Sequence, residues 1–141
     1  MIERTEDTEF LREIATHPRV WPYITEDGAQ VETYAPVISP MVHYLRFGDK
    51  GFFQFAMMNR VMYGCHVCML PKTDADEAAK QAIRWMWEHT EAQKLVCHLA
   101  PIKRHAIRFA KRAGFTEEGR LSAAFLLHGT LHDLIILGVQ K

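Results

Sequence analysis

Residues 61–100, VMYGCHVCMLPKTDADEAAKQAIRWMWEHTEAQKLVCHLA, decide how this chain folds. The segment opens on an apolar run, 61–70, that Pro71 ends, as a strand would. Residues 74–89 then repeat with a helical period. At 100° per residue Ala75, Ala78, Ala79, Ala82 and Met86 share one face, with Ile83 and Trp85 at its flanks. Lys80, Arg84 and Glu88 point the other way. The small alanines let such a helix lie close against a sheet. Residues 94–100 carry LVCHLA, a run of the buried-strand kind. Strand, helix, strand in this order predicts a right-handed parallel crossover.

The pattern extends upstream. Residues 43–47 alternate, GDKG at 48–51 supplies a tight turn, and 52–58 reads as the returning strand. Asn59 and Arg60 turn the chain into 61–70. Residues 2–5 suit a short first strand. Helix 7–16 follows, with Asp7 or Thr8 as its cap, Phe10, Leu11 and Ile14 as its stripe, and Pro18 past its end. Between them, residues 17–40 hold prolines at 18, 22, 36 and 40. They predict a surface connection with a short helix near 21–25, pinned by Trp21 and Tyr23. Downstream, helix 103–113 turns Ala106, Phe109, Ala110 and Ala113 inward, and Gly114 stands where a left-handed cap is wanted. Residues 120–139, RLSAAFLLHGTLHDLIILGV, predict two strands joined through HGT. The sum is an α/β fold in one domain, 1–141: a mixed sheet of six to seven strands with helices on both faces.

Bulk properties narrow the function. Apolar residues make up 48% of the chain, enough for a core. Lys plus Arg equals Asp plus Glu at 17 each, which argues against nucleic acid and membrane as partners. The charged start MIERTEDTEF is unlike a signal peptide, so the expected location is the cytoplasm. Three cysteines suit a reducing compartment better than a disulfide framework.

The element order resembles the GNAT acetyltransferase superfamily over nearly the whole chain. The nearest local likeness is KRHAIRFAKRAGF, with Ala106, Ile107, Gly114 and Phe115 in the family's register. Gly129 and Asp133 before LIILGV, and IERTED before a helix, are similar too. Within the superfamily, THPRVWPYI and HGTLHD look like the head-assembly protein family of lambdoid short-tailed phages. That likeness implies a non-catalytic role through protein contacts in virion assembly, with virion or ejection proteins as partners, in a host cytoplasm.

Two departures from the superfamily support such a role. GNAT enzymes hold the acetyl-CoA pyrophosphate in a Gln/Arg-x-x-Gly-x-Gly/Ala loop before a helix, whose N–H groups and dipole favour the anion. Here the loop is LPKTDADEAAK, without glycine. Asp74, Asp76 and Glu77 are expected to fill the helix N-terminus as caps. Each repels an anion about 5 Å away by roughly 0.8 kcal/mol in water. The second departure lies on the later helix. Many members carry a Tyr there as general acid; the matching residue is Ala110, and the usual Asn falls on Lys103. No cofactor is therefore expected. The alternative is an acyl-CoA-dependent N-acetyltransferase with an altered site. It would use His66 or His98 as base, because an unperturbed histidine titrates near 6.5. Its cofactor contacts would come from Leu70, Lys72 and Lys103.

No metal is expected. Cys65 and Cys68 form a CxxC, but residues three apart on a strand face opposite sides. His66 and Cys68 share a face, with His98 on the next strand, as a packed or cleft-lining group. Arg104, Arg108, Lys111 and Arg112 make the outer face of the later helix basic. That face is either simply solvated or suited to an anionic partner. Trp87 lies about 120° from the apolar centre of its helix by the 100° rule. With Trp21 and Tyr23 it would build an aromatic contact patch.

Overall fold

A computed structural model describes all 141 residues. β1 (Ile2–Thr5) gives way to α1 (Thr8–Ala15) at Asp7, whose carboxylate accepts from the Phe10 N–H at 3.1 Å. Phe10, Leu11, Ile14 and Ala15 form the buried stripe of α1. The proline-rich connection holds one helical turn, α2 (Trp21–Ile24), and a 3-10 turn (Val31–Thr33). Three antiparallel strands follow: β2 (Val42–Phe47), β3 (Gly51–Met57) and β4 (Met62–Met69). Gly51 is required at the start of β3. Its φ is +156°, and a Cβ there would meet the Cys68 carbonyl at 2.1 Å. At the next corner the Asn59 side chain accepts from the N–H groups of Val61 and Met62.

α3 (Asp76–His89) and β5 (Lys94–Leu99) complete the crossover, with β5 parallel to β4. α4 (Arg104–Arg112) ends at Gly114, whose φ of +107° is the left-handed bend foreseen there. β6 (Thr116–Leu127) and β7 (Thr130–Gln140) form a long hairpin through His128 and Gly129, both at positive φ. The sheet order is β1-β2-β3-β4-β5-β7-β6, seven strands. This is the mixed α/β architecture expected from the sequence, though β6 begins at Thr116 rather than at residue 120. No helix is long and apolar enough to cross a membrane.

The two faces of the sheet are packed unequally. On one, the alanines of α3 and Ala110 of α4 lie against Leu45, Phe53, Phe55, Tyr63, Leu95 and Leu137. On the other, the α1 stripe meets Val20, Tyr44, Phe52 and Cys68. Ile24 and Tyr34 of the proline-rich strap pack on that second face as well. Arg12 holds the strap by donating to the carbonyls of Tyr34 and Val31, and Trp21 packs edge-on against Tyr34. Asp27 ties its middle to the β6–β7 turn, accepting from the N–H groups of His128 and Gly129 at 2.9 and 2.7 Å. These two bonds hold the Asp27 carboxyl below its ordinary range. Tyr23, expected as an anchor, is instead 73% exposed.

Candidate functional site

β4 and β5 pair at only three positions, Met62↔Lys94, Tyr63↔Leu95 and Gly64↔Val96. Beyond Gly64 the two strands part, so Cys65–Met69 lose their ladder partners on the β5 side. The gap runs through the sheet as a cavity of about 210 Å³. Eighteen of its 21 lining residues are hydrophobic, so the cavity favours an apolar body over a charged one. Strand alternation sorts its polar groups. Cys65 and Cys97 face α3 and α4, packed against that core. His66 and His98 therefore open toward the α2 side.

Burial lowers the His66 pKa, and the neighbouring His98 lowers it further. His66 is thus neutral at pH 7, with a lone pair to accept a proton. Burial pushes the Cys65 thiol well up, with Cys97 adding to the shift, and lifts Cys97 to about 11. Both thiols stay protonated at neutral pH and are poor nucleophiles. Cys68 is buried against α1 on the face opposite Cys65, the face it shares with His66, as the strand period requires.

α4 contributes Lys103, Ala106, Phe109 and Ala110 to the cavity wall. Ala110 brings no titratable group. Lys103 reaches across the mouth: its Nζ donates to the Tyr23 carbonyl and stands 5.3 Å from the Phe125 ring centre. Burial lowers its pKa. Of the residues singled out in the sequence, the cavity brings together Tyr23, His66, His98 and Lys103. Cys65, Cys97 and Phe125 were not singled out for this role. The splay that exposes them depends on where β4 and β5 stop pairing, which residue types do not encode.

The β4–α3 loop corrects the sequence reading twice. Leu70 offers no amide to a ligand, because its N–H already donates to the Lys50 carbonyl at 2.8 Å. The acids also do not cap α3. Ala75 is the N-cap residue and has no side chain to serve. Asp74 accepts only from the Asp76 N–H, at 3.1 Å, while Asp76 turns outward to a bidentate pair with Arg112 at 2.9 and 3.2 Å. Glu77 is exposed and makes no ion pair. The N–H groups of Lys72, Thr73, Glu77 and Ala78 are left without a partner in the chain. Lys72 has φ +63°, so the loop takes the left-handed bend that glycine would make without strain.

The other expected contact residues disperse. Trp87 packs on the α3 side of the sheet, whereas α2 sits on the opposite face through Ile24. Trp21, Tyr23 and Trp87 therefore build no common patch. Arg104, Arg108 and Lys111 form an exposed stripe along α4 with no ion pair, and Arg112 is taken by Asp76.

No protein-family model matches the sequence, and no curated protein does. Solved structures do match. Spermidine N-acetyltransferase from Vibrio cholerae, in complex with CoA and spermine, superposes with a TM-score of 0.80 at 15% identity. The match covers 100% of this chain and 95% of that one. A chimera of the same enzyme with hSSAT gives 0.80 at 15% identity, over 99% and 94%. These neighbours overturn the expected non-catalytic head-assembly role and give no support to the phage resemblance behind it. They are acetyltransferases, and they back the acyl-CoA alternative instead. The fold of this chain is the GNAT fold.

Proposed function

We propose that this chain transfers an acyl group from acyl-CoA to an amine. The parting of β4 and β5 over an apolar cavity carries the reading. The unladdered edges of both strands leave backbone polar groups for the amides of a pantetheine arm, and the apolar walls shelter a thioester from water. The pyrophosphate would lie on the unpaired amides of Lys72, Thr73, Glu77 and Ala78, at the positive end of α3. Lys72 and Arg112 offset part of the charge of Asp74, Asp76 and Glu77 there.

The chemistry needs few groups. An amine enters the α2 side and loses one proton to become the free base. Its nitrogen attacks the thioester carbonyl carbon; the N–C bond forms and the C–S bond breaks. His66, neutral at pH 7, accepts the second nitrogen proton. The departing thiolate takes up a proton, so the products are an amide, CoA thiol and one net proton. With Ala110 where a tyrosine would stand, no side chain of α4 at that position serves the thiolate. A CoA thiol is acidic enough to leave with a proton from solvent.

Calorimetry with acetyl-CoA, paired with thiol release across an amine panel, tests this directly. Micromolar binding and amine-dependent thiol release are expected. The absence of both binding and release would overturn the reading.

A further inference from the structure

The chemistry of the acceptor is written in the cavity wall. On the α2 side the lining is Tyr23, Ile24, His66, His98, Phe125 and Leu134, with Lys103 at the mouth. No Asp or Glu lines the cavity anywhere. Two acids on the framing elements, Asp27 and Asp133, are already committed. Asp27 accepts from the hairpin amides of His128 and Gly129. Asp133 accepts from the Ala123 N–H at 3.0 Å and faces Arg120. The one permanent charge among the lining residues is the Lys103 ammonium. It stands over Phe125 and is bonded to the Tyr23 carbonyl.

A polyamine carries a second and third ammonium along its chain. Each needs a carboxylate or water when its neighbour nitrogen is held in the cavity, since an unpaired buried ammonium is strongly disfavoured. This wall offers no carboxylate, and Lys103 repels such a chain. A molecule with a single amine meets no such penalty. It enters as the free base, and its body replaces water against aromatic and aliphatic walls.

We propose that the acceptor is an apolar monoamine: one primary amine on an aromatic or aliphatic body. The body lies among Tyr23, Phe125 and Leu134, and the nitrogen faces His66 and His98. This rests on the acyltransfer reading above and narrows its substrate. The bond changes are those already given, with acyl-CoA as the second reactant.

The test compares 2-phenylethylamine, hexylamine and spermidine as acceptors in a thiol-release assay at low salt, with acetyl-CoA binding measured alongside. At least a tenfold higher kcat/KM for the two monoamines is expected. Lys103→Glu should narrow that ratio by favouring spermidine, a shift that lost packing alone would not produce. Spermidine turned over as fast as either monoamine overturns the inference, and so does acetyl-CoA binding without turnover of any monoamine. In both cases the acyl-CoA site itself stands. Absent acetyl-CoA binding removes the reading and the inference together.

Discussion

The cavity between β4 and β5 and the loop at the head of α3 are two halves of one candidate site, and they differ in kind. The cavity is made by strand geometry and walled by apolar side chains. Its character survives any change that keeps the walls apolar. The loop is made by backbone amides, and its side chains work against it: three acids crowd an end of a helix that would otherwise attract an anion. In the cavity, sequence and geometry point the same way. In the loop they oppose each other, and geometry keeps the amides free while charge taxes their use.

The sharpest way to break the comparison is to remove the base from the cavity. His66→Gln should lower kcat/KM roughly a hundredfold, the lower end of general-base effects. The pH profile is the finer reading. Burial and His98 both lower the His66 pKa, so the base stays neutral as pH falls through the ordinary histidine range. The acid limb of kcat/KM is expected below about pH 6.5, the unperturbed histidine value. His98→Asn should move that limb upward, because one of the two depressing causes is gone. A limb that does not move on this change assigns the base elsewhere.

Next in size is filling the cavity. Ala106 lines it from α4 and is only partly buried, so Ala106→Trp adds an indole to the gap without displacing the α3 core. Acetyl-CoA affinity should fall on the order of 50-fold, since little of a ligand can be buried in a filled pocket. Circular dichroism and the thermal midpoint check that the fold is kept. The loop should respond in the opposite direction. Asp74→Asn with Glu77→Gln removes two uncompensated charges near the free amides. At about fourfold per charge, binding should tighten roughly fifteenfold at low salt and less at high salt. Salt titration of the affinity reads this directly.

What the sequence made legible follows the same division. The alanine face of α3 and the LVCHLA strand located the crossover, and Gly114 the end of α4, because period and composition are local signals. The mixed sheet of six to seven strands followed from them and from the turn residues. Leu70, by contrast, was read as a donor although the β3 hairpin claims its N–H, a long-range bond that no local pattern reports. Asp76 was read as a cap, and propensity favours that, but Arg112 lies 36 residues on and draws it outward. The lysine at a left-handed φ was invisible for a related reason: nothing in its chemistry announces that conformation. The non-catalytic reading weighed the missing glycines as a missing site, whereas the loop keeps its bend and its unpaired amides without them.

The smallest effect isolates the Asp76–Arg112 pair, where the two halves meet. The bidentate bond ties the start of α3 to the end of α4, the two helices that flank the cavity. Both side chains are about half exposed, so the pair adds little to stability. Its effect is electrostatic: Arg112 neutralises one of the three acids at the loop. Arg112→Gln should therefore weaken acetyl-CoA binding about threefold at low salt, with the thermal midpoint unchanged. In an Asp76→Asn background the same change should do almost nothing, because the charge that Arg112 offsets has gone. If the loss persists in that background, or exceeds tenfold, Arg112 leaves Asp76 to hold the phosphate itself. The pair would then act as a latch that acyl-CoA opens, and charge at the loop would select the ligand rather than tax it.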